Sequence, residues 1–425
     1  MATSPTRAAT LRRAALALAL AAPLALPAAE LGADLDGLLA HARARNPELA
    51  AMRHESEAAE QRVQPAGALP DPVFRVELMN VTNDGNPGGF NLLPSKVGET
   101  QYTLMQMIPL GGKRELRRGI AQADAQQAHA RADLAWTELA TKIKTAYAQY
   151  LAAAGNQRLL DEVLGLMGQL EQLAQARYAS GLVAQQDAIR AQLEQTAMRS
   201  ERLRLDNDRR QARARLNALL GRAPGEPLAE PRALRPLPAA ALDLGALALR
   251  VRAANPAIQA EQARIRSAEQ ARDLARSNRI PDLQVGISPT QMGSRLTRWG
   301  LMFEINIPLQ RETLRSMRAE SEAMLAAQRA RTDAVATQLV GELGEHLAAI
   351  DAAQRTEALL TNQLLPQSEL ALRSALAAYE NGKVDFATLL DAQRQIRKAQ
   401  QDRLKAQVEA QMRLAEIERI VGGEL

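Results

Sequence analysis

The sequence predicts a mainly α protein with a small β part. Two long helical hairpins are each preceded by a pair of strands. Three observations predict it. Residues 113–178 read helical with no proline, and at about 1.5 Å per residue such an arm is roughly 100 Å long. The whole arrangement then occurs a second time, about 200 residues later. Finally, four short segments ahead of the hairpins switch from a period of 3.6 to a period of 2.

The doubling is legible from landmarks. Asn46-Pro47 and Asn255-Pro256 coincide, as do Pro70-Asp71 and Pro281-Asp282, and Ile108-Pro109-Leu110 and Ile307-Pro308-Leu309. Within the hairpins, Leu139, Ile143, Tyr147 and Tyr150 match Leu339, Leu343, Leu347 and Ile350. At the tips Tyr178 and Gly181 match Tyr379 and Gly382, and Gly221 matches Gly422 at the end. The organisation expected is a leader over 1–29, a first repeat over 30–221, a connector over 222–242 and a second repeat over 243–425. The expected hairpins cover 110–221 and 310–422.

Residues 1–29 have the pattern of a secretory signal. Arg12 and Arg13 precede an apolar run over Ala14–Leu26, too short to span a membrane, and small residues follow. Each repeat then opens with a short helix, an Asn-Pro pair that places proline at a helix start, and a further helix. The strand pairs expected are 71–80 with 100–109 and 282–290 with 297–307. Phe74, Val76 and Leu78 alternate with Arg75 and Glu77, and Trp299, Leu301, Phe303 and Ile305 with Gly300, Met302 and Glu304. The loop between the first two, Asn83–Gly89, is turn-rich, and that around Gln291–Leu296 is short.

Strands of about 9–11 residues with one apolar face suit a transmembrane barrel. A soluble sheet packed on helices would alternate in the same way. Four strands close no barrel, and an open edge is not tolerated in lipid, so a membrane reading requires several protomers to pool their strands. The connector holds five prolines within Arg222–Ala239 and reads as extended chain. The long arms carry a coiled-coil-like seam that continues through Leu160, Val163, Met167, Leu170 and Leu173. Pro366 interrupts only the second hairpin, so the two should differ in shape there.

Composition excludes several function classes. Without the first 29 residues the formal charge falls from +5 to +2, and arginines alternate with acids and glutamines, which makes solvated helix faces rather than a nucleic-acid stripe. With no cysteine there is no disulfide, thiol chemistry, lipid-modified N-terminal cysteine or thiolate metal site. The histidines (His41, His54, His129, His346) lack ligand spacing, and Met79, Met105 and Met107 are read as apolar filler. No metal site, cofactor or catalytic residue is expected: the sequence has no Gly-rich phosphate loop, no Ser/His/Asp set, and no carboxylate pair outside solvated helices.

The doubled unit, the Asn-Pro helix starts, the IPLGGKR junction (Ile108–Arg114) and the tips RYASGLVAQQDAIRAQ (Arg177–Gln192) and AYENGKVDFATLLDAQ (Ala378–Gln393) resemble the TolC-type outer-membrane efflux channel family over essentially the whole chain beyond the leader. The LGGKR junction further resembles the heavy-metal branch of resistance-nodulation-division (RND) systems, the CzcC/CusC type. The resemblance implies a homotrimer in outer-membrane lipid. Four strands per protomer would form a trimeric twelve-stranded β-barrel, and the hairpins a periplasmic α-barrel. It implies a passive conduit working with a periplasmic adaptor and an inner-membrane RND pump, with heavy-metal cations as cargo; drugs or polypeptide are the alternative cargo. An adaptor or coiled-coil scaffold would carry one hairpin, not two behind strand pairs. By position, the resemblance makes Ser180, Gly181, Leu182, Val183, Asn381, Gly382, Lys383 and Val384 the adaptor-docking tips. Asp391, Tyr379, Asp187 and Thr388 fall at the pore constriction. Asp391 stands for one aspartate of an acidic ring and Thr388 replaces a second, for which Asp187 is the expected compensating acid.

Overall fold

The structure, a computed structural model, describes residues 31–82, 89–238 and 242–425. The leader expected over 1–29 lies outside the described residues, as does most of the Asn83–Gly89 loop. In chain order the elements are α1 (Leu35–Arg45), α2 (Pro47–Gln61), α3 (Val63–Ala66), β1 (Val73–Met79), β2 (Glu99–Ile108), α4 (Lys113–Ala179) and α5 (Gln185–Leu219). After the connector come α6 (Leu244–Ala254), α7 (Pro256–Ser277), β3 (Leu283–Met292), β4 (Arg295–Ile305), α8 (Arg311–Leu359), a π turn (Leu360–Leu364), α9 (Leu365–Glu380) and α10 (Phe386–Val421).

The Asn-Pro pairs do more than start helices. Asn46 Oδ1 accepts from the Leu49 N–H at 3.1 Å, and Asn255 Oδ1 from Ala257 and Ile258 at 2.8 and 3.2 Å, which caps α2 and α7. Each Asn also donates from Nδ2 to the last turn of its own hairpin's returning helix, to Leu219 O and Ile420 O. Gly422 ends that helix at φ 80°, and a Cβ there would lie 2.6 Å from Ala254 O. One motif thus joins the start of each repeat to its end.

The four strands form one antiparallel sheet in the order β1-β2-β3-β4, so β1 and β4 are free edges within the protomer. Register aligns Phe74, Leu104, Ile287 and Leu301 across the sheet, with Val285–Phe303 and Leu283–Ile305 beside them. Since side chains alternate, these share one face. That face is uncovered: Trp299, Leu301 and Phe303 are each more than 70% exposed. Arg75, Thr103, Gln284 and Glu304 lie on the opposite face. Strand β1 begins at Val73 rather than 71 because Pro72 cannot donate to a ladder. Strand β4 runs Arg295–Ile305 rather than 297–307. A two-residue turn, Gly293-Ser294, pairs Met292 directly with Arg295 and shortens the expected loop.

Between sheet and helices, Gly111 and Gly112 both take φ near +70°, a swerve open to glycine. The buried Lys113 then donates to Ile280 O at 2.7 Å and Asp282 Oδ1 at 2.8 Å, tying the first junction to the second.

Three apolar clusters fill the helical part. One joins Leu35, Leu38 and Leu39 of α1 to Leu139, Ile143, Tyr147 and Tyr150 of α4. Its counterpart joins Leu247 and Val251 of α6 to Leu339, Leu343 and Ile350 of α8 and to Leu414 and Ile417 of α10. The third spans both hairpins toward their tips, Leu160, Met167 and Leu170 packing with Met198, Tyr379, Phe386 and Leu389. Among the described residues no helix is long and apolar enough to cross a membrane.

The connector is pinned by a buried charge cluster. Glu418, 3% exposed, accepts from Lys144 Nζ at 2.8 Å and from both terminal nitrogens of Arg235 at 3.1 and 2.9 Å. Burial pushes its carboxyl up, but the hydrogen bonds and charges of Arg235 and Lys144 outweigh burial and hold it below the usual range. The two hairpins differ at Pro366. Where α4 runs unbroken, the corresponding arm passes through the π turn, whose Leu360 carbonyl accepts from Leu365 N–H just before the proline.

Candidate functional site: the hairpin tips

Both tips are built by the same local rule. In the first, Leu182 N–H donates to Arg177 O and Gly181 N–H to Tyr178 O, both at 2.9 Å. In the second, Lys383 N–H donates to Ala378 O at 2.8 Å and Gly382 N–H to Tyr379 O at 3.0 Å. These are Schellman closures, which need a left-handed residue after the cap; Gly181 and Gly382 supply it at φ 70° and 69°. Ser180, Gly181, Leu182, Asn381, Gly382 and Lys383 are exposed, while Val183 and Val384 are half-buried.

The returning helices start differently. Asp385 caps α10, its Oδ1 accepting from Thr388 N–H at 3.0 Å and Thr388 Oγ1 at 2.7 Å. The hydroxyl of Thr388, expected at the constriction, is therefore engaged in a helix cap. Helix α5 has no side-chain cap, and Asp187 sits in its first turn.

The structure brings Asp187 and Tyr379 together and leaves Asp391 apart. Tyr379 is 1% exposed, packed edge-on against Phe386 with ring centroids 5.4 Å apart. The guanidinium of Arg177 lies 5.4 Å above its ring and also donates to Glu380 O. The Tyr379 hydroxyl is buried without a partner among the described residues, and burial followed by the charge of Asp187 pushes it up. Burial, opposed by Arg190 and assisted by the nearby Asp385 carboxylate, raises Asp187 above the usual carboxylate range. Asp391 is well exposed beside Arg394, at 3.8 Å.

Three residue sets were not anticipated. Arg177 links the two tips. Behind it, Arg394 pairs with Glu194, which is largely buried, and Arg397 Nη1 with Glu201 Oε2 at 2.8 Å, so α10 and α5 are bonded at two depths and, with Arg177 on Glu380, the two hairpins at three. A third set lies elsewhere: Ser56 Oγ is 2.6 Å from His129 Nδ1, whose Nε2 is 2.7 Å from Glu60 Oε1. The sequence reading found no such constellation because Ser56 and His129 are far apart in the chain. Ser56 is 3% exposed in mid-helix, its N–H committed to the α2 ladder, so no oxyanion donors flank it. The set fastens α2 to α4.

A family profile described as outer membrane efflux protein matches residues 38–222 and 247–423. Among solved structures, the chain is similar to the outer membrane protein VceC of Vibrio cholerae, with 19% identity, a TM-score of 0.78, and coverage of 92% of this chain and 96% of that one. It is also similar to the outer-membrane channel OprN, with 22% identity, a TM-score of 0.76, and coverage of 92% and 90%. For CusC the values are 16%, 0.77, and 92% of each chain. No curated protein matches. The chain belongs to the outer membrane efflux protein family.

Proposed function

We propose that this protein is the outer-membrane conduit of a tripartite efflux assembly. Three copies close one twelve-stranded barrel and one helical tunnel. A periplasmic adaptor seats on the tips, and an inner-membrane RND pump drives cargo through. The observation that supports this best is the sheet: one continuous apolar face lies uncovered and both edges are free, an arrangement stable only when copies join edge to edge with that face in lipid. The conduit is passive, and the pump provides the energy.

Ser180–Val183 and Asn381–Val384 form the docking surface, where glycine allows close approach of a partner backbone. Arg177 and Tyr379 hold the two hairpins together at the mouth, with Asp187, Thr388 and Asp391 beside them. Repeated three times about an axis, Asp187 and Asp391 make acidic rings that favour cations. Heavy-metal cations are the cargo we favour. That rests on these acids and on the LGGKR junction, with CusC among the similar structures.

The test is complementation. In cells lacking their own channel but holding a metal-exporting pump and adaptor, this chain should restore resistance to the metal, and Gly382→Trp should abolish resistance while leaving trimers in the membrane. Restored drug resistance or polypeptide export without metal resistance would overturn the cargo and keep the channel.

A further inference from the structure

A cavity of about 460 Å³ lies midway along the first hairpin, under the Pro-rich connector. Asp206, Arg209, Arg210 and Arg213 of α5 wall it, with Tyr150 of α4 and Leu228 and Glu230 of the connector. The spacing of 206, 209, 210 and 213 puts all four on one helix face. Two of the arginines are answered: Arg209 by Glu230 at 3.2 Å and Arg210 by Asp206 at 2.6 Å. Arg213 is not. It has no carboxylate partner among the described residues, and its Nε–H is buried without an acceptor. Tyr150, 3% exposed, sits in the field of Arg209 and Arg213, and burial pushes its hydroxyl up, which keeps it a protonated donor. Three cations against two carboxylates leave one positive charge and unused donors facing a space large enough for a small ligand.

We propose that this cavity binds an oxyanion, a phosphate or a carboxylate, held by the Arg213 guanidinium and the Tyr150 hydroxyl with Arg209 as the second cation. A guanidinium fork matches two oxygens of either group, and a buried donor left unmade is costly. Water satisfies the Nε hydrogen without neutralising the charge. Tyr150 lies 37 residues along α4 from Lys113, roughly 55 Å from the barrel junction, which puts membrane headgroups out of reach. The ligand therefore comes from the solution or polymer around the helical tunnel. Bound there, it bridges α4 to α5 beneath the connector. The proposal is independent of the cargo and of the tips.

The experiment is calorimetric titration of the detergent-solubilised protein with inorganic phosphate and, separately, with glutarate, at constant ionic strength. One saturable site per chain for either probe is expected, and which probe binds distinguishes a phosphate from a carboxylate ligand. Arg213→Gln should weaken binding about tenfold or more and Tyr150→Phe by less, the usual range for a charge-assisted hydrogen bond and a neutral one. Arg202→Gln should not change it, since Arg202 pairs with Asp161 outside the cavity. If Arg213→Gln fails to assemble, Arg213→Lys, which keeps the charge and loses the fork, should still bind more weakly than wild type. No saturable binding of either probe overturns the proposal. So does equal binding by the Arg213 variants, or a neighbouring protomer's carboxylate found on Arg213.

Discussion

At the scale of single residues, the buried charges give the clearest expectations. Glu418→Gln takes from the buried Lys144 its buried counter-charge at 2.8 Å and leaves only the exposed Glu424 at 3.6 Å, and breaking such a buried pair costs about 3–5 kcal/mol. Urea titration of the detergent-solubilised protein should show that loss. The folded Glu418 has a lowered pKa, so its contribution is complete above the ordinary glutamate value and is lost as pH falls through the folded one; the wild type should lose it on acidification and the Gln variant should not. Asp187 has the opposite sign. Its pKa is raised, so its ionised form strains the folded tip at neutral pH, and that strain disappears below the ordinary aspartate value, about 4. Asp187→Asn should therefore slow hydrogen exchange at residues 180–188 and 381–388 at pH 7 and change little near pH 4. Tyr379→Phe removes a hydroxyl that has no hydrogen-bond partner among the described residues, so tip exchange should match wild type.

At the scale of elements, each tip depends on one left-handed glycine. Gly181→Val or Gly382→Val places a β-branched residue at φ near +70° and should cost about 1–2 kcal/mol, visible as a lower melting temperature. The hairpins and the alternating strands were legible in the sequence because periodicity is a local property: Leu139, Ile143, Tyr147 and Tyr150 reveal their common face by spacing alone. The Asn-Pro pairs were legible as helix starts, but their second bond, to Leu219 and Ile420, was not, since it spans 165 residues or more. The tip region was legible only in part. Gly181 and Gly382 announce turns, whereas Arg177 over Tyr379, or Arg394 on Glu194, depends on how two hairpins 200 residues apart lie against each other. Opposite charges at matching depths, Glu194 with Arg394 and Glu201 with Arg397, were the available signal. Asp391 was placed by resemblance to the family, and in the protomer it is an exposed partner of Arg394.

At the scale of the whole molecule, the protomer is an incomplete object. Its sheet presents apolar side chains to no protein partner and ends in two free edges, while its helical part is packed and closed by buried charge. In the proposed assembly lipid and further copies of the chain complete that end; the other end, at the tips, is fastened by Arg177 and the two ion pairs behind it. A channel held shut at that end should open when the fastening is cut. The direct measurement is single-channel current in a planar bilayer. Wild type should give small, brief conductances, and Arg177→Ala, which loses both the ring contact to Tyr379 and the bond to Glu380, should give a larger mean conductance and a longer open time. If wild type and Arg177→Ala both pass no current, or pass the same current, the account of a trimeric channel gated at its hairpin tips is contradicted.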